Sequence, residues 1–425
     1  MPASVLLTGV TGFVGSEILY ELLARGDVQV SCLIRARSDE EASERLRGIV
    51  TRMLGEGGWD AVQARLTPVR GDLLQRRLGI APASVARLVE ETTHIVHGAA
   101  SVSFGMSLEK ARAINVRGTL EMLSLADASA RMGSLQRFGY VSTAFVCGRH
   151  DGVFEEDWIE TRQSFRNTYE RTKFEAEQAV RWRMHDLPIT VVRPSIVVGN
   201  SSTGATRGFN VVYWPLKLFA DGLFRYTPAP ADLPVDLVPV DFVARGTVEA
   251  VLGAGEPGRT YALAAGHRAT EARVIGEVAA EVFGVPAPWM VSTPLDRLVW
   301  PVLTRLGTLS PWARYARPFR HYLPYFLRGS RFDTRHADAL LGPRGIEPPR
   351  VDDFLRTVLE FARDTDFGRD REAIERREAE VAAERLAVLR GGAAKRRTPS
   401  RGRRPAARRT AGSAARPRRP TATSA

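Results

Sequence analysis

The sequence predicts an α/β fold: an open, doubly wound parallel sheet with helices on both faces, followed by a smaller C-terminal substrate-facing domain and a disordered basic tail. Three observations predict it. Short apolar, β-branched runs alternate with longer amphipathic segments through the first two hundred residues. The first of these runs, SVLL, opens directly into the glycine-spaced turn TGVTGFVG. Eleven of the net twelve positive charges lie after residue 390, so the body of the chain is close to neutral and the tail is a polycation.

Taken in order, SVLL is the first strand and the segment after the glycines is a helix to about Ala24. VQVSCLIR, LTPVRGD, HIVHGAA, FGYVSTAFV and ITVVRPSIVVG supply the strands that follow. Runs this uniformly apolar belong to strands buried on both faces, as in a parallel sheet covered by helices. Past Pro194 the pattern loosens into Gly- and Pro-rich loops, aromatic clusters and helices such as EARVIGEVAAEVFG and DDFLRTVLEFARD. The expected boundaries are a sheet domain over 1–265, including a substrate-domain insertion at about 200–235, then a substrate-facing domain over 266–365. A charged helix over 366–390 and a disordered tail over 391–425 complete the chain. Ile374, Val381 and Val388 stand seven apart, which predicts an exposed helix or one packed on a partner. The Arg/Pro/Ala/Ser/Thr tail has too little apolar surface to bury a core.

With 425 residues and 44% hydrophobic content, the chain has the size for a substantial core. Cys32 and Cys147 are its only cysteines, each inside an apolar run. A disulfide framework, a metal site or a nucleophilic thiol is therefore not expected, and a reducing cytoplasm fits. No Lys or Arg precedes the first apolar run, and no stretch of about eighteen apolar residues occurs. This argues for a protein that is cytoplasmic, or at most peripheral to the inner face of a membrane. The tail predicts charge-driven, nonspecific contact with nucleic acid, anionic lipid or an acidic carrier protein, an accessory role.

Gly9, Gly12 and Gly15 are spaced three apart between a strand and a helix. Such a turn lets the backbone and the helix N-terminus close on a pyrophosphate, because no Cβ stands between them. Thr8, Gly9, Thr11, Gly12, Phe13, Val14 and Gly15 are the candidate cofactor contacts. The second strand ends in Leu33-Ile34-Arg35-Ala36-Arg37, where an NAD-selective site offers an acid to the ribose. A guanidinium suits a 2′-phosphate instead, which favours NADP(H) over NAD(H), with Arg35 ahead of Arg37. An ordinary exposed arginine pair is the alternative.

NTYERTKFEAE places Tyr169 and Lys173 four apart, on one face of a helix. A phenol with a pKa of ~10 is a poor acid or base at neutral pH, but a neighbouring ammonium stabilises the phenolate by about 1.4 kcal/mol per unit of downward shift. Lys173 has further donors with which to hold the nicotinamide ribose. An earlier strand ends in Ser142-Thr143. Thr143 can hydrogen-bond a substrate carbonyl oxygen while Tyr169 exchanges a proton with it. The plain alternative has Tyr169 packing its helix and Thr143 satisfying backbone.

With these residues in place, the sequence resembles the extended short-chain dehydrogenase/reductase superfamily, and within it the thioester-reductase and fatty acyl-CoA reductase branch called male-sterility-like. The likeness rests on LLTGVTGFVGSEILYELL, HGAASVSFGMSLEKARAINVRGTLEML, RFGYVSTAFVCG, NTYERTKFEAE and ITVVRPSIVVGNSSTG. It covers most of residues 4–265 and extends more faintly to about 365. The resemblance implies a Rossmann fold in which Asp72 and Leu73 meet the adenine, and His97 begins a strand end that sets Ala99 and Ala100 beside the cofactor. It implies that Thr143, Tyr169 and Lys173 form the catalytic trio, and that Asn115 kinks a helix in support of a proton relay. Arg193, Pro194, Ser195 and Ile196 are implied to border the nicotinamide.

The implied reaction is NADPH-dependent reduction of an acyl thioester, on CoA or a carrier protein, to an aldehyde; a second hydride transfer would carry it on to an alcohol. A homodimer is consistent with the superfamily. No adenylation or carrier domain is recognised ahead of the sheet, so the thioester is expected to arrive from elsewhere, and no segment matches the terminal domain of the alcohol-forming enzymes. Residues 209–224 and the aromatic- and arginine-rich region from Leu295 to Phe326 are candidates for an acyl channel, a membrane interface or a carrier-docking surface, beside ordinary core packing. Two other functions suit the same residues. One is an NAD(P)-dependent alcohol or hydroxysteroid dehydrogenase, or a nucleotide-sugar epimerase or dehydratase. The other is a non-catalytic, cofactor-sensing scaffold whose tail binds nucleic acid or membrane.

Overall fold

The computed structural model describes residues 2–150, 152–158, 163–209, 212–222, 226–227, 229–290, 325 and 329–397. A seven-stranded sheet lies at its centre. Its strands are β1 (Ala3–Thr8), β2 (Val28–Ile34), β3 (Leu66–Arg70), β4 (His94–His97), β5 (Arg137–Val141), β6 (Ile189–Pro194) and β7 (Thr260–Leu263). They stand side by side as β7-β6-β5-β4-β1-β2-β3, all parallel. The chain lays down β1 to β3 in one direction and returns past β1 to add β4 to β7 in the other. A crevice therefore opens at the carboxyl ends of β1 and β4. Thr8 pairs with both Leu33 and His97, which sets the strand ends on one rim.

Helices α1 (Phe13–Arg25), α2 (Asp39–Leu54), α3 (Gly58–Val62), α4 (Pro82–Glu91), α5 (Leu108–Arg112), α6 (Gly118–Arg131) and α7 (Thr168–Trp182) accompany the first five strands. Strand alternation divides the core. Val5 and Leu7 of β1 join Val30, Cys32 and the helix residues Ile18, Leu22 and Leu46 on one face. Leu6 joins Ile95, Phe138, Met122 and Val180 on the other. Helix α1 stops one residue beyond the expected Ala24, where Gly26 takes the left-handed conformation at φ 82°.

The chain continues with α8 (Tyr213–Ala220), α9 (Val240–Leu252), α10 (Ala272–Phe283), α11 (Arg335–Leu341), α12 (Val351–Asp364) and α13 (Arg371–Arg397). α9 and α11 add to the first core. α8, α10 and α12 close a third around Leu216, Ile275, Phe354 and Leu359, beside Val198 and Leu237. The region from Leu295 to Phe326, Tyr325 excepted, lies outside the described residues, as do positions 210, 211, 223 and 224 of the other candidate channel and the tail beyond Arg397. Among the described residues no helix is long and apolar enough to cross a membrane.

α13 corrects the reading of an exposed or partner-packed helix. It lies against α1 and α2 of its own chain, with Ala382 and Leu386 buried and Leu389 packed on the first core. Arg385 reaches Glu17 at 2.5 Å and covers the Tyr20 ring at 4.6 Å. The packed stripe is set by Ala382, Leu386 and Leu389, whereas Val388 of the expected heptad is exposed. The small Ala382 side chain permits a close approach to Gly55, which a seam of Ile and Val would not. The helix also runs to Arg397, past the expected boundary at 390, because Ala393 to Arg397 are good helix formers and Pro399 is the first residue that forbids continuation.

Glu177 of α7, fully buried, binds the equally buried Arg193 of β6 at 2.5 Å and Arg181 at 3.0 Å, and accepts the Ser142 hydroxyl. Burial alone would push its carboxyl up, but the two guanidinium groups and Ser142 hold it down at about 2. Arg193 spends its other donors on the Glu156 and Trp158 carbonyls and faces the Phe154 ring at 5.0 Å. A carboxyl depressed in the folded state stabilises the fold above its unfolded pKa of about 4.3 and loses that contribution as pH falls toward 2. Glu177→Gln is therefore expected to destabilise the protein by about 3–5 kcal/mol at pH 7. In urea unfolding the gap from the unsubstituted protein should narrow progressively below pH 4; a gap that does not change with pH would contradict this account.

Candidate active site

The glycine turn is held by contacts that exclude a side chain. Gly9 sits at φ +84°, and a Cβ there would lie 2.8 Å from the Ala99 nitrogen. A Cβ on Gly15 would lie 2.1 Å from the Gly9 carbonyl oxygen, and one on Gly12 would lie 3.2 Å from it. α1 begins at Gly12 with no side-chain cap and no acid in its first turn, so its N-terminal N–H groups are left for an anion. This chemistry fits a dinucleotide pyrophosphate. Thr8 fixes the turn to β4 by bonding His97 Nδ1 at 2.8 Å and accepting from the Ala99 N–H at 3.2 Å.

Two cavities meet at this turn and share Gly12, Gly98 and Ala100. The first, of about 870 Å³, is lined by Thr8, Gly9, Thr11, Arg35, Asp72, Leu73 and Ala99. Arg35 is exposed at its edge, beside Arg45 of α2, which donates to the Arg35 carbonyl. Sequence reading missed Arg45; its place ten residues beyond Arg35, on the helix that follows, was the available signal. Arg37 does not line the cavity: its N–H donates to Glu41 and its carbonyl accepts from Arg70. Asp72 also caps a turn, accepting from the Leu74 N–H at 3.0 Å.

The second cavity, of about 1430 Å³, is lined by Phe13, Val14, Gly15, Thr143, Tyr169, Lys173, Pro194, Ser195 and Ile196. α7 starts from Asn167, whose side chain accepts from the Glu170 N–H at 2.9 Å while Glu170 accepts from the Arg166 N–H at 2.9 Å. The Asn167 side chain, with Glu170 three residues on, caps the helix that carries Tyr169 in its first turn. Burial pushes the Tyr169 phenol up to about 12 and the neighbouring Thr143 hydroxyl draws it partly back; Thr143 Oγ1 donates to the Pro194 carbonyl at 3.4 Å and accepts from the Phe145 N–H at 3.3 Å. Phe104 packs on the Tyr169 ring at 5.8 Å.

The ammonium does not serve the phenol as the sequence suggested. Lys173 Nζ donates to Tyr140 Oη and to the Val141 carbonyl, each at 2.8 Å, and lies 4.2 Å from the Tyr140 ring centroid. Burial brings it down to about 7, with Glu177 pulling it back up. The reason is geometric: Tyr140 sits on the same face of the sheet and offers a closer acceptor. Asn115 lies in a π-helical turn, Ala113–Arg117, between α5 and α6. Its amide is committed to Ser101, through both N–H and carbonyl, and to Thr172 Oγ1 at 2.9 Å; it lines neither cavity. It positions α7 rather than reaching the crevice. Arg193 likewise turns its side chain into the Glu177 brace, while Pro194 and Ser195 face the cavity. His97 is buried between Thr8 and Thr119 and held down at about 3 by burial and by Lys173, so it stays neutral.

Sequence reading missed Arg207, whereas Tyr325 belongs to the Leu295–Phe326 region named as a candidate acyl channel and lines the second cavity. Tyr325 stacks on Phe104 at 6.0 Å, meets Phe145 edge-on at 5.4 Å, and donates to Glu170 while accepting from Asn167. Arg207 lines the second cavity and pairs with Glu378 of α13 at 3.4 Å. Cys32 and Cys147 are free and buried. Among the described residues no group of His, Cys, Asp or Glu is placed to hold a metal ion.

The family described as male sterility protein matches residues 7–247. The chain is 35% identical over 252 residues to a linear gramicidin synthase subunit of Brevibacillus parabrevis, a match covering 58% of this chain and 5% of that one. It spans well under two thirds of the length of the curated relatives it matches. Among solved structures it is similar to the terminal R domain of the myxalamid PKS-NRPS biosynthetic pathway, with a TM-score of 0.73, 28% identity, and coverage of 86% of this chain and 91% of that one. It is also similar to the reductase (R) domain of a nonribosomal peptide synthetase from Mycobacterium tuberculosis, with a TM-score of 0.66, 25% identity, and coverage of 86% and 92%.

The glycine contacts carry a direct test. Gly15→Ala drives a methyl into the Gly9 carbonyl and is expected to weaken nicotinamide nucleotide binding at least tenfold in equilibrium titration, whereas unaltered binding would remove this turn from the site.

Proposed function

The chain belongs to the male sterility protein family, and from that membership we propose that it is an NADPH-dependent reductase of an acyl thioester, presented on CoA or a carrier protein. The observation that carries the reading is that Thr143, Tyr169 and Lys173 line the same cavity as Gly12 to Gly15 at the N-terminus of α1. Solved reductase domains of similar fold, more than nine-tenths covered by this chain, support it.

NADPH, when bound, supplies the hydride. Thr8 to Gly15 hold the pyrophosphate, Arg35 meets the 2′-phosphate, and Pro194 and Ser195 border the nicotinamide. Thr143 and Tyr169 bind the thioester carbonyl oxygen. Tyr169, a neutral phenol because burial raises it to about 12, donates its proton as charge develops on that oxygen. The product of this step is a hemithioacetal. Its collapse breaks the C–S bond, returns the hydroxyl proton to the departing thiol and leaves the aldehyde. No enzyme-bound acyl group is required, and burial raises the two thiols, Cys32 to about 12 and Cys147 to about 11, which keeps them from competing for the acyl carbon.

NADPH oxidation against acyl-CoAs, sterols and nucleotide sugars is the test. Turnover is expected with the acyl-CoAs, with aldehyde captured as product, and Tyr169→Phe is expected to lower kcat by roughly 10²–10⁴ while NADPH still binds. Turnover confined to sterols or sugars would overturn the thioester reading. Cofactor choice has its own measure: 2′-AMP should inhibit more strongly than 5′-AMP, and Arg35→Ser should erase the difference. Equal inhibition of the unsubstituted enzyme would reject NADPH.

A further inference from the structure

Beside the catalytic cavity lies a third one, of about 1040 Å³, whose walls come from outside the sheet. α8 and its N-cap present Val212, Pro215, Leu216 and Phe219, and α10 presents Ala272, Ile275, Gly276 and Ala279. Each set follows the spacing i, i+3, i+4, i+7, so each helix turns one apolar stripe into the space. The α10 stripe is dominated by small residues, which hold the space open, and the α8 stripe by larger ones. Among the described lining residues the one carboxylate, Asp236, is spent elsewhere: it accepts from the Ser195 hydroxyl and from the Ala265 and Gly266 N–H groups. Among the described lining residues no side chain is cationic.

This chamber and the catalytic cavity share Phe145, Ile196 and Tyr325. Phe145 and Tyr325 meet edge to face, and the Tyr325 hydroxyl is tied to Glu170 and Asn167 at the start of the helix that carries Tyr169. The partition between the two spaces is thus registered to the catalytic phenol.

Resting on the thioester reading above, we propose that the chamber receives the acyl chain of the substrate and selects an uncharged hydrocarbon chain over an aminoacyl or peptidyl one. A carbonyl held by Thr143 and Tyr169 extends its chain past the Phe145–Tyr325 partition into the space between α8 and α10, and its thiol portion remains on the catalytic side. A chain ending in an ammonium would set that charge against described lining residues that are mostly apolar and whose carboxylate, Asp236, is already engaged. The chamber lining, rather than the trio, then sets which acyl groups react.

The comparison is between octanoyl- and 7-aminoheptanoyl-pantetheine, chains of matched length that differ in a terminal ammonium. The octanoyl form is expected to have a kcat/KM at least about 100-fold higher and to bind correspondingly tighter in calorimetry. Leu216→Ala should move the chain-length optimum upward and Ala279→Leu should move it downward. Equal kcat/KM and binding for the two thioesters, or a chain-length profile untouched in both variants when each is folded by circular dichroism, overturns the chamber assignment and leaves the thioester reading standing. Failure to reduce any thioester while sterols or sugars are turned over removes the parent reading, and the chamber assignment with it.

Discussion

A carboxylate buried where no water reaches it must be paired, and the pairing of Glu177 is the constraint on which the crevice depends. Two of its partners stand next to parts of the site: Ser142 directly precedes Thr143 and Arg193 directly precedes Pro194, while Glu177 itself lies one turn beyond Lys173. A single charge therefore indexes β5, β6 and α7 against one another, because moving any of them strands a buried ion. The hydroxyl of Thr143 and the phenol of Tyr169 come from segments 26 residues apart, yet this arrangement sets both on one cavity.

A second buried array links the same region to the glycine turn. Lys173 bonds Tyr140, whose ring lies 5.9 Å from that of His97; His97 bonds both Thr119 and Thr8, and the Thr8 hydroxyl takes the Ala99 N–H. Buried polar contacts of this kind stiffen the region. The turn that faces the pyrophosphate and the helix that bears the phenol are thereby oriented together, although no backbone hydrogen bond joins β1 to α7.

What the sequence disclosed was what short-range physics determines. The Gly9/Gly12/Gly15 turn was legible because its requirement, space for backbone against backbone, is local. The helix of Tyr169 and Lys173 was legible because their four-residue spacing on one face is local, whereas its Asn167 cap, although printed in the sequence, went unread. The parallel sheet followed from strand runs apolar on both faces. The bonds of Lys173 to Tyr140 and the Val141 carbonyl were not legible, because sheet packing brings those acceptors to it across 33 and 32 residues. An Arg in the middle of the apolar run ITVVRP was a signal for a buried acid, and its partner Glu177 stood four residues beyond Lys173; the two were not connected. Spacing by seven in α13 suggested a seam that small residues at Ala382 and neighbouring positions displaced. The apolar chamber was half visible: residues 209–224, which contain α8, were a candidate acyl channel, whereas the facing wall on α10 meets them only in the folded chain.

The placement of those walls has a consequence for how such a protein diversifies. α8 and α10 contribute to the third core and not to the two that sandwich the sheet. Changes at Leu216, Phe219, Ile275 or Ala279 therefore reshape this apolar space through a core that is separate from those holding the glycine turn and the Tyr169 helix. Under the chamber assignment proposed above, selectivity and chemistry would sit in separate modules of one molecule, so that a lineage could explore new guests while the crevice stays as it is.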